Sequence, residues 1–587
     1  MGLDHCQAIL LGFLAAASPL FGWAASTGSP SVLDTKQNVT YEGVLVNGVE
    51  KFLNIPYAQD TSGEKRFSNP EPFVFPTNVS VYDASKAGPV CPQAPPDLTF
   101  MSPVPNQSED CLKLKVVRPK GVQGGDKLPV MVWIYGGSLY NGNINDGIYE
   151  PDGLILQSVN NGLPVIFVAM NYRTSIFGFA LSDALRANNS LNLGLKDQRL
   201  ALEWVQEHIE FFGGDPDHVT IFGQSSGGLS VGIQILAYGG SKPVPFHAGI
   251  MESTALEPTS TSNITTITYN EIANLAGCDT FGDPQSVETL ACLRDLPFED
   301  LLNVTITQFN AAGGGDIYLP TVDGDFLPLA SSELVRQGLF PRMPVIIGWA
   351  ENDAALFTDN AIQTSSDTSD FIHLIWTGLT DDSVTTILSL YPSTDFTPNP
   401  SANLSSEFYR TAQIFRDILF TCPSFYLGGA MAAKYSADNE VPEVYYYVQN
   451  QTILSDYLKT IGAPGRGVVH TSELAYVFGN FSVYNVTGDV HPTEDDVELQ
   501  KRESRSWSTF GNTGKPSLDG KETLGGWESA YGIGDAMMDA SVYVIGGPDS
   551  GLSRLEGEGA KEAVAKQKLE ERCGFLNSPE VIRQLQY

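Results

Sequence analysis

Five short runs of apolar residues punctuate the chain: PVMVWIYGG (129–137), PVIFVAMNYR (164–173), DHVTIFG (217–223), MPVIIGWA (343–350) and EVYYYVQ (443–449). Their hydrophobic positions are continuous rather than alternating. That is the pattern of strands covered on both faces in a mostly parallel sheet. Between the second and third runs, GLKDQRLALEWVQEHIEFFGG (194–214) changes period. Leu195, Leu202, Val205, Ile209 and Phe212 recur at seven, three and four, tracing one face of a helix that Gly213 and Gly214 are expected to close. Strands alternating with helices predict an α/β architecture, and no internal repeat interrupts it.

The third strand runs into VTIFGQSSGG (219–228), and GLSVGIQILAYGG continues as a helix. A lone G-x-S-x-G means little in a chain with 57 glycines. Strand, tight turn and helix around Ser225 supply its context. Small residues at Gly223 and Gly227 let the chain turn sharply, lifting the serine hydroxyl to the amino end of a helix, where the dipole favours developing negative charge. Ser225 is thus the candidate nucleophile.

A serine needs a base, an orienting acid and donors for an oxyanion. In this architecture the chain order is serine, acid, histidine. His470, in the glycine-bounded GVVHTSELAYVFGN after the fifth run, fits that order, whereas His491 lies in a polar stretch and reads as surface. The acid is expected just past a strand end. VIIGWAENDAALF offers Glu351 and Asp353 there, and Asp353 is preferred. WIYGGSLYNG (133–142) follows the first strand directly. Its amides at Gly137 and Ser138, with that of Ser226, could form a three-donor oxyanion hole.

Composition narrows the partners. The 34 basic against 68 acidic residues give a net charge of −34, which repels phosphate backbones and argues against nucleic acid. The apolar run Ala8–Ala17, followed by small residues to Ser26, is too short to span a bilayer. It reads as a secretory signal over residues 1–26, leaving 27–587 as one soluble domain with no integral membrane association. Cys6 departs with the signal, and the six remaining cysteines suggest disulfides in an oxidising compartment. No C-x-x-C pair exists, which argues against zinc. Ten N-x-S/T sequons, at Asn38, Asn78, Asn106, Asn188, Asn263, Asn303, Asn403, Asn450, Asn480 and Asn485, predict glycosylation of a secreted chain.

NLGLKDQRLALEWVQEHIEFFGGDPDHVTIFGQSSGG (192–228) resembles the central signature of the type-B carboxylesterase/lipase family, which includes fungal lipases and cholinesterases. EDCLKLKVVRP (109–119) resembles its second signature. The likeness continues through NYRTSIFGF, VDGDFLP, HTSELAYVFGN and NTGKPS. The resemblance implies an α/β-hydrolase fold, a large mostly parallel sheet flanked by helices with long loop insertions. It also implies a Ser225–His470–Asp353 triad cleaving a small-molecule carboxylic ester through an acyl-enzyme, without metal or organic cofactor. Disulfides Cys91–Cys111, Cys278–Cys292 and Cys422–Cys573 are implied too. Three departures stand out: NDA where the family usually has Glu within DEG, Gln224 where Glu often precedes the nucleophile, and Ser138 in place of a third glycine. In relatives the loop closed by the first disulfide is a mobile flap. Here PQAPPDLTFMSPVPNQSED (92–110) carries five prolines and makes a poor amphipathic helix, leaving Leu98, Phe100 and Met101 as an apolar patch. That favours an esterase of soluble esters over a lipase for longer-chain acylglycerols. A catalytically silent binding or adhesion protein is the other alternative, but such proteins typically lack the nucleophile.

Overall fold

The structure is a computed structural model describing residues 29–96, 101–104, 106–279, 282–313, 315–486 and 488–587. The expected signal over residues 1–26, Leu98 and Phe100 lie outside these residues. An 11-stranded sheet organises the molecule. From one edge it runs Gly551–Arg554, Ser541–Ile545, Val444–Gln449, Val345–Ala350, Ala248–Glu252, Gly214–Gln224, Leu128–Ile134, Ile166–Met170, Lys113–Pro119, Val49–Pro56 and Val44–Val46. The seven strands from Ser541–Ile545 to Ile166–Met170 are parallel, and the two edges are antiparallel. All five apolar runs fall in the parallel centre. There Val130 pairs with Val219 on one side and Ile166 on the other, so β-branched side chains pack across three strands. A separate three-stranded sheet near the amino end, Ser31–Asp34, Val39–Glu42 and Val81–Asp83, has no counterpart in the sequence reading.

The periodic segment is a helix, Leu193–His208, followed by a 3₁₀ turn at Ile209–Phe212. Gly213 ends it in the left-handed region (φ 90°). Gly214, expected to help close the helix, instead opens the next strand, where it pairs with Leu128, and a Cβ there would press 2.6 Å from Ile209. Arg173 of the NYR segment grips Asp197 of this helix with Nε and Nη2 at 2.8 and 2.7 Å. These two motif residues are therefore structural, locking a strand end to the helix. The helices Leu193–His208 and Ser226–Leu236 pack on each other and on the Gly214–Gln224 strand, while Asp152–Asn160 and Glu494–Thr513 pack together against neighbouring strands. A helical stretch from Ser406 to Ala437 is interrupted by a π-helical turn at Asp417–Thr421.

Candidate active site

The strand Gly214–Gln224 ends one residue before Ser225, and the helix Ser226–Leu236 begins one residue after it. Ser225 carries the whole reversal, with φ 59° and ψ −132°. A non-glycine residue in such a backbone conformation is strained, and it persists because its surroundings hold it. The Ser225 N–H donates to the Glu252 carbonyl at 2.8 Å. A Cβ on Gly223 would lie 2.6 Å from the Gly227 carbonyl, and one on Gly227 would lie 2.1 Å from that of Ile134. Only hydrogen fits at either position.

Asp353 and His470, 117 residues apart, meet at a His470 Nδ1 to Asp353 Oδ1 distance of 2.6 Å. The second carboxylate oxygen, Oδ2, accepts the Ala350 N–H at 2.7 Å, which fixes the carboxylate plane. Glu351, the other acid considered, points away and pairs with Lys566 at 2.5 Å. The imidazole is held between two rings: Phe420 stacks on it at 5.1 Å and Phe357 meets it edge-on at 5.2 Å. With Nδ1–H given to Asp353, Nε2 carries the lone pair. The Gln224 side-chain amide donates to it at 3.2 Å.

The segment after Leu128–Ile134 wraps against the elbow. A Cβ on Gly136 would meet the Gln224 carbonyl at 2.4 Å and the Ser225 Cβ at 2.8 Å. Gly137, Ser138 and Leu139 all have positive φ (113°, 56° and 53°), so the chain bends sharply here. The Leu139 N–H donates to the Ser226 hydroxyl at 3.1 Å, tying this loop to the nucleophile helix. Ser226 occupies the first helical position, where an amide has no intrahelical acceptor. Gly137 and Ser138 thus lie on a loop tied to the helix that Ser226 opens.

Ser138, Ser225, Ser226 and His470 all line a cavity of about 1150 Å³. Next to His470 its wall is apolar. Phe357, Phe371, Trp376 and Phe415 form a connected ring cluster, and Leu419 and Phe420 come from the π-helical turn. The lining also carries the polar side chains of Glu257, Asp316, Glu271 and Gln308, interspersed with Ile264, Ile267, Leu275 and Ile317.

The family model of the carboxylesterase family matches residues 31–540. The chain belongs to the carboxylesterase family. It is 44% identical to a protein named as a secreted lipase from Arthroderma benhamiae, over 96% of this chain and 97% of that one. It is 37% identical to a Byssochlamys spectabilis protein named as an inactive carboxylesterase-like protein, over 94% of each. The crystal structure of Aspergillus niger EstA superposes with a TM-score of 0.73 at 26% identity, covering 95% of this chain and 99% of that one. The fold is that of the α/β-hydrolases, and this carboxylesterase is placed by its family among carboxylic ester hydrolases.

The carboxylesterase has the three disulfides Cys91–Cys111, Cys278–Cys292 and Cys422–Cys573, which fit an oxidising, extracellular setting. No helix among the described residues is long and apolar enough to cross a membrane. None of its other described histidines lines the cavity: His208 pairs with Asp34, His247 faces His218, His373 faces Asp381 and His491 is exposed. Eight of the sequon asparagines are exposed. Asn450 and Asn480 are half-buried, and the Asn480 amide donates to the Gly147 carbonyl at 2.9 Å. Sequence reasoning missed Phe357, Phe420 and the contact of Gln224 with the imidazole. It also missed three buried carboxyls behind the site. Glu252 accepts the Trp507 indole N–H at 2.7 Å, with Glu473 and Glu503 close by. Burial pushes the Glu252 carboxyl up to about 8, and the other two also move well upward.

Proposed function

We propose that this carboxylesterase is a secreted serine hydrolase that cleaves small-molecule carboxylic esters through Ser225, His470 and Asp353. The reading rests on one observation: Asp353 holds the Nδ1 side of His470 at 2.6 Å, leaving Nε2 with a lone pair on the cavity that Ser225 also lines. Ser225 attacks the ester carbonyl while His470 Nε2 takes its proton, replacing the hydrogen bond that Nε2 accepts from Gln224. The N–H groups of Gly137, Ser138 and Ser226 receive the oxyanion. His470 then protonates the departing alcohol, and water repeats the sequence on the acyl-enzyme. Asp353 keeps the imidazole in the reactive tautomer and stabilises its charged form. Residues 1–26 act as a cleaved secretory signal, and the exposed sequons carry glycans.

Ser225→Ala should abolish p-nitrophenyl acetate turnover and labelling by a fluorophosphonate probe. Turnover within tenfold of wild type would rule the nucleophile out. Absent labelling of the wild-type protein would favour the silent, binding-protein alternative. A second reading, preference for longer acyl or alkyl chains, is favoured by the cavity rim. Leu374 is 76% exposed there, with Phe357, Ile267 and Leu275 each close to half exposed. No described residue of the 92–110 loop lines the cavity. Rates across esters of rising chain length, with and without emulsified tributyrin, separate the two preferences.

A further inference from the structure

The helical stretch from Ser406 to Ala437 contains a carbonyl that its own helix cannot satisfy. In the π-helical turn Asp417–Thr421, the Cys422 N–H donates to the Asp417 carbonyl, five residues back. An α-helix would give that N–H to Ile418 instead. The π-type partner of Ile418 is residue 423, and Pro423 has no N–H. The buried Ile418 carbonyl is thus left without a donor from its own helix, a costly state. The Tyr587 hydroxyl supplies the missing donor at 3.1 Å. Among the described residues this is the only hydrogen bond reaching residues 418–421 from outside their helix, since the Phe420 carbonyl takes the Ser424 hydroxyl from the next turn.

That bond fastens the cavity wall. Leu419 and Phe420, next along the chain, both line the cavity, and Phe420 stacks on the His470 ring. The flanks of the turn are held separately: Arg416 donates to the Glu351 carbonyl, Tyr391 donates to Asp417, and Cys422 is bridged to Cys573. Tyr587 is 5% exposed and follows the helix Pro579–Leu585, which Gln586 ends in the left-handed region (φ 57°). The same segment reaches a second part of the lining. Leu585 accepts the Thr259 N–H at 2.7 Å, and Gln586 accepts the Thr261 N–H at 3.0 Å. Thr259 lines the cavity with φ 66°, a conformation that a β-branched residue keeps only when its surroundings hold it. Residues 585–587 therefore clamp two separate lengths of the lining together.

We propose that Tyr587 is a positioning residue: through the Ile418 carbonyl, its hydroxyl keeps Phe420 against the His470 imidazole and so speeds proton transfer. The inference rests on the ester-hydrolase reading for the role of His470. Tyr587→Phe removes only the hydroxyl. The orphaned carbonyl is relieved by movement of the turn, which takes Phe420 with it. In p-nitrophenyl acetate turnover, counted per active site by fluorophosphonate titration, kcat should fall about fivefold or more while KM changes less than about twofold. The lost order matters in the transition state and not in binding so small an ester. A residue that only stabilised the fold would change the amount of active protein and leave kcat per site alone. Ser332→Ala is the control. It removes the hydroxyl that donates to the Tyr587 main-chain oxygen at 3.2 Å but leaves the phenol in place, so kcat should keep its wild-type value. Unchanged kcat in Tyr587→Phe, or an equal fall in Ser332→Ala, would overturn the proposal. Crystal structures of the wild type and Tyr587→Phe provide a second measurement that needs no turnover. Phe420 displaced from the imidazole in the variant supports the proposal, whereas Leu419 and Phe420 unmoved defeats it whatever the esters do. A wild-type protein that cleaves no ester and takes up no fluorophosphonate defeats the hydrolase reading, and the crystal structures still decide what Tyr587 holds.

Discussion

Asp353→Asn is the sharpest probe of the acid–base pair, because the two oxygens of Asp353 have different partners. Oδ2 accepts the Ala350 N–H at 2.7 Å and Oδ1 accepts the His470 Nδ1–H at 2.6 Å. An asparagine must place its carbonyl oxygen at one of these positions and its NH2 at the other. With the oxygen towards Ala350, the NH2 donates to His470 Nδ1 and moves the ring proton to Nε2, where it blocks acceptance of the serine proton. The reverse orientation keeps the reactive tautomer but sets NH2 against the Ala350 N–H, a buried unpaired contact costing about 1–3 kcal/mol. That term alone lowers the reactive population about 5- to 150-fold. Loss of the buried negative charge that stabilises the imidazolium adds to it. Together the expected fall in kcat is about 10³- to 10⁴-fold, or about 4–5.5 kcal/mol in the barrier. The assay is p-nitrophenyl acetate turnover normalised to active sites by fluorophosphonate titration, with the thermal midpoint as a check on folding. Glu351→Gln is the control, since its partner Lys566 lies outside the cavity lining. If Asp353→Asn keeps more than a tenth of wild-type turnover, or Glu351→Gln loses more, the tautomer argument fails.

Three further outcomes are expected. Gly227→Ala puts a methyl 2.1 Å from the Ile134 carbonyl, so the elbow and oxyanion loop must separate. Soluble yield should fall by an amount consistent with about 3 kcal/mol, and the surviving protein should be inactive. Glu252, raised from 4.5 to about 8, keeps in the folded protein a proton that the unfolded chain releases. Its contribution to stability is therefore fully present below 4.5 and is lost as pH rises towards 8, at about 1.4 kcal/mol per pH unit. Thermal midpoints at pH 5 and 8 should converge in Glu252→Gln relative to wild type, and an unchanged gap would refute this. The Cys422–Cys573 bridge closes a loop of 151 residues, so the double serine variant should lose up to about 5 kcal/mol, read as a lower thermal midpoint than wild type.

Much of this architecture is legible in the sequence because the central strands are buried on both faces and so carry uninterrupted apolar runs. The elbow is legible for a similar reason. Its glycines at 223 and 227 answer a steric demand that leaves no alternative residue. Edge strands such as Val44–Val46 and Gly551–Arg554 are short and partly exposed, and they leave no such mark. Chain order pointed to His470, and the position past a strand end offered Asp353 beside Glu351; the structure brings Asp353 and His470 together. Phe357 and Phe420 were not legible, because their importance comes from packing between segments with no fixed spacing. Gln224 was visible as a departure from a family pattern, but its position against the imidazole nitrogen depends on tertiary geometry. The Gly214 boundary shifted because Gly213 alone takes the left-handed closing position, while Gly214 pairs with Leu128 in the sheet.

The π-helical turn at Asp417–Thr421 amounts to one surplus residue wound into an otherwise regular helix. It swings Leu419 and Phe420 into the cavity, and the Ile418 carbonyl within it accepts the Tyr587 hydroxyl. Losing a single codon here would let the helix rewind, rotate Phe420 off the imidazole and enlarge the pocket floor. The acid loop would feel the change, because Arg416, just before the turn, donates to the Glu351 carbonyl and Phe357 packs on Phe420. One residue of helix register thus governs the shape of the cavity wall beside the imidazole.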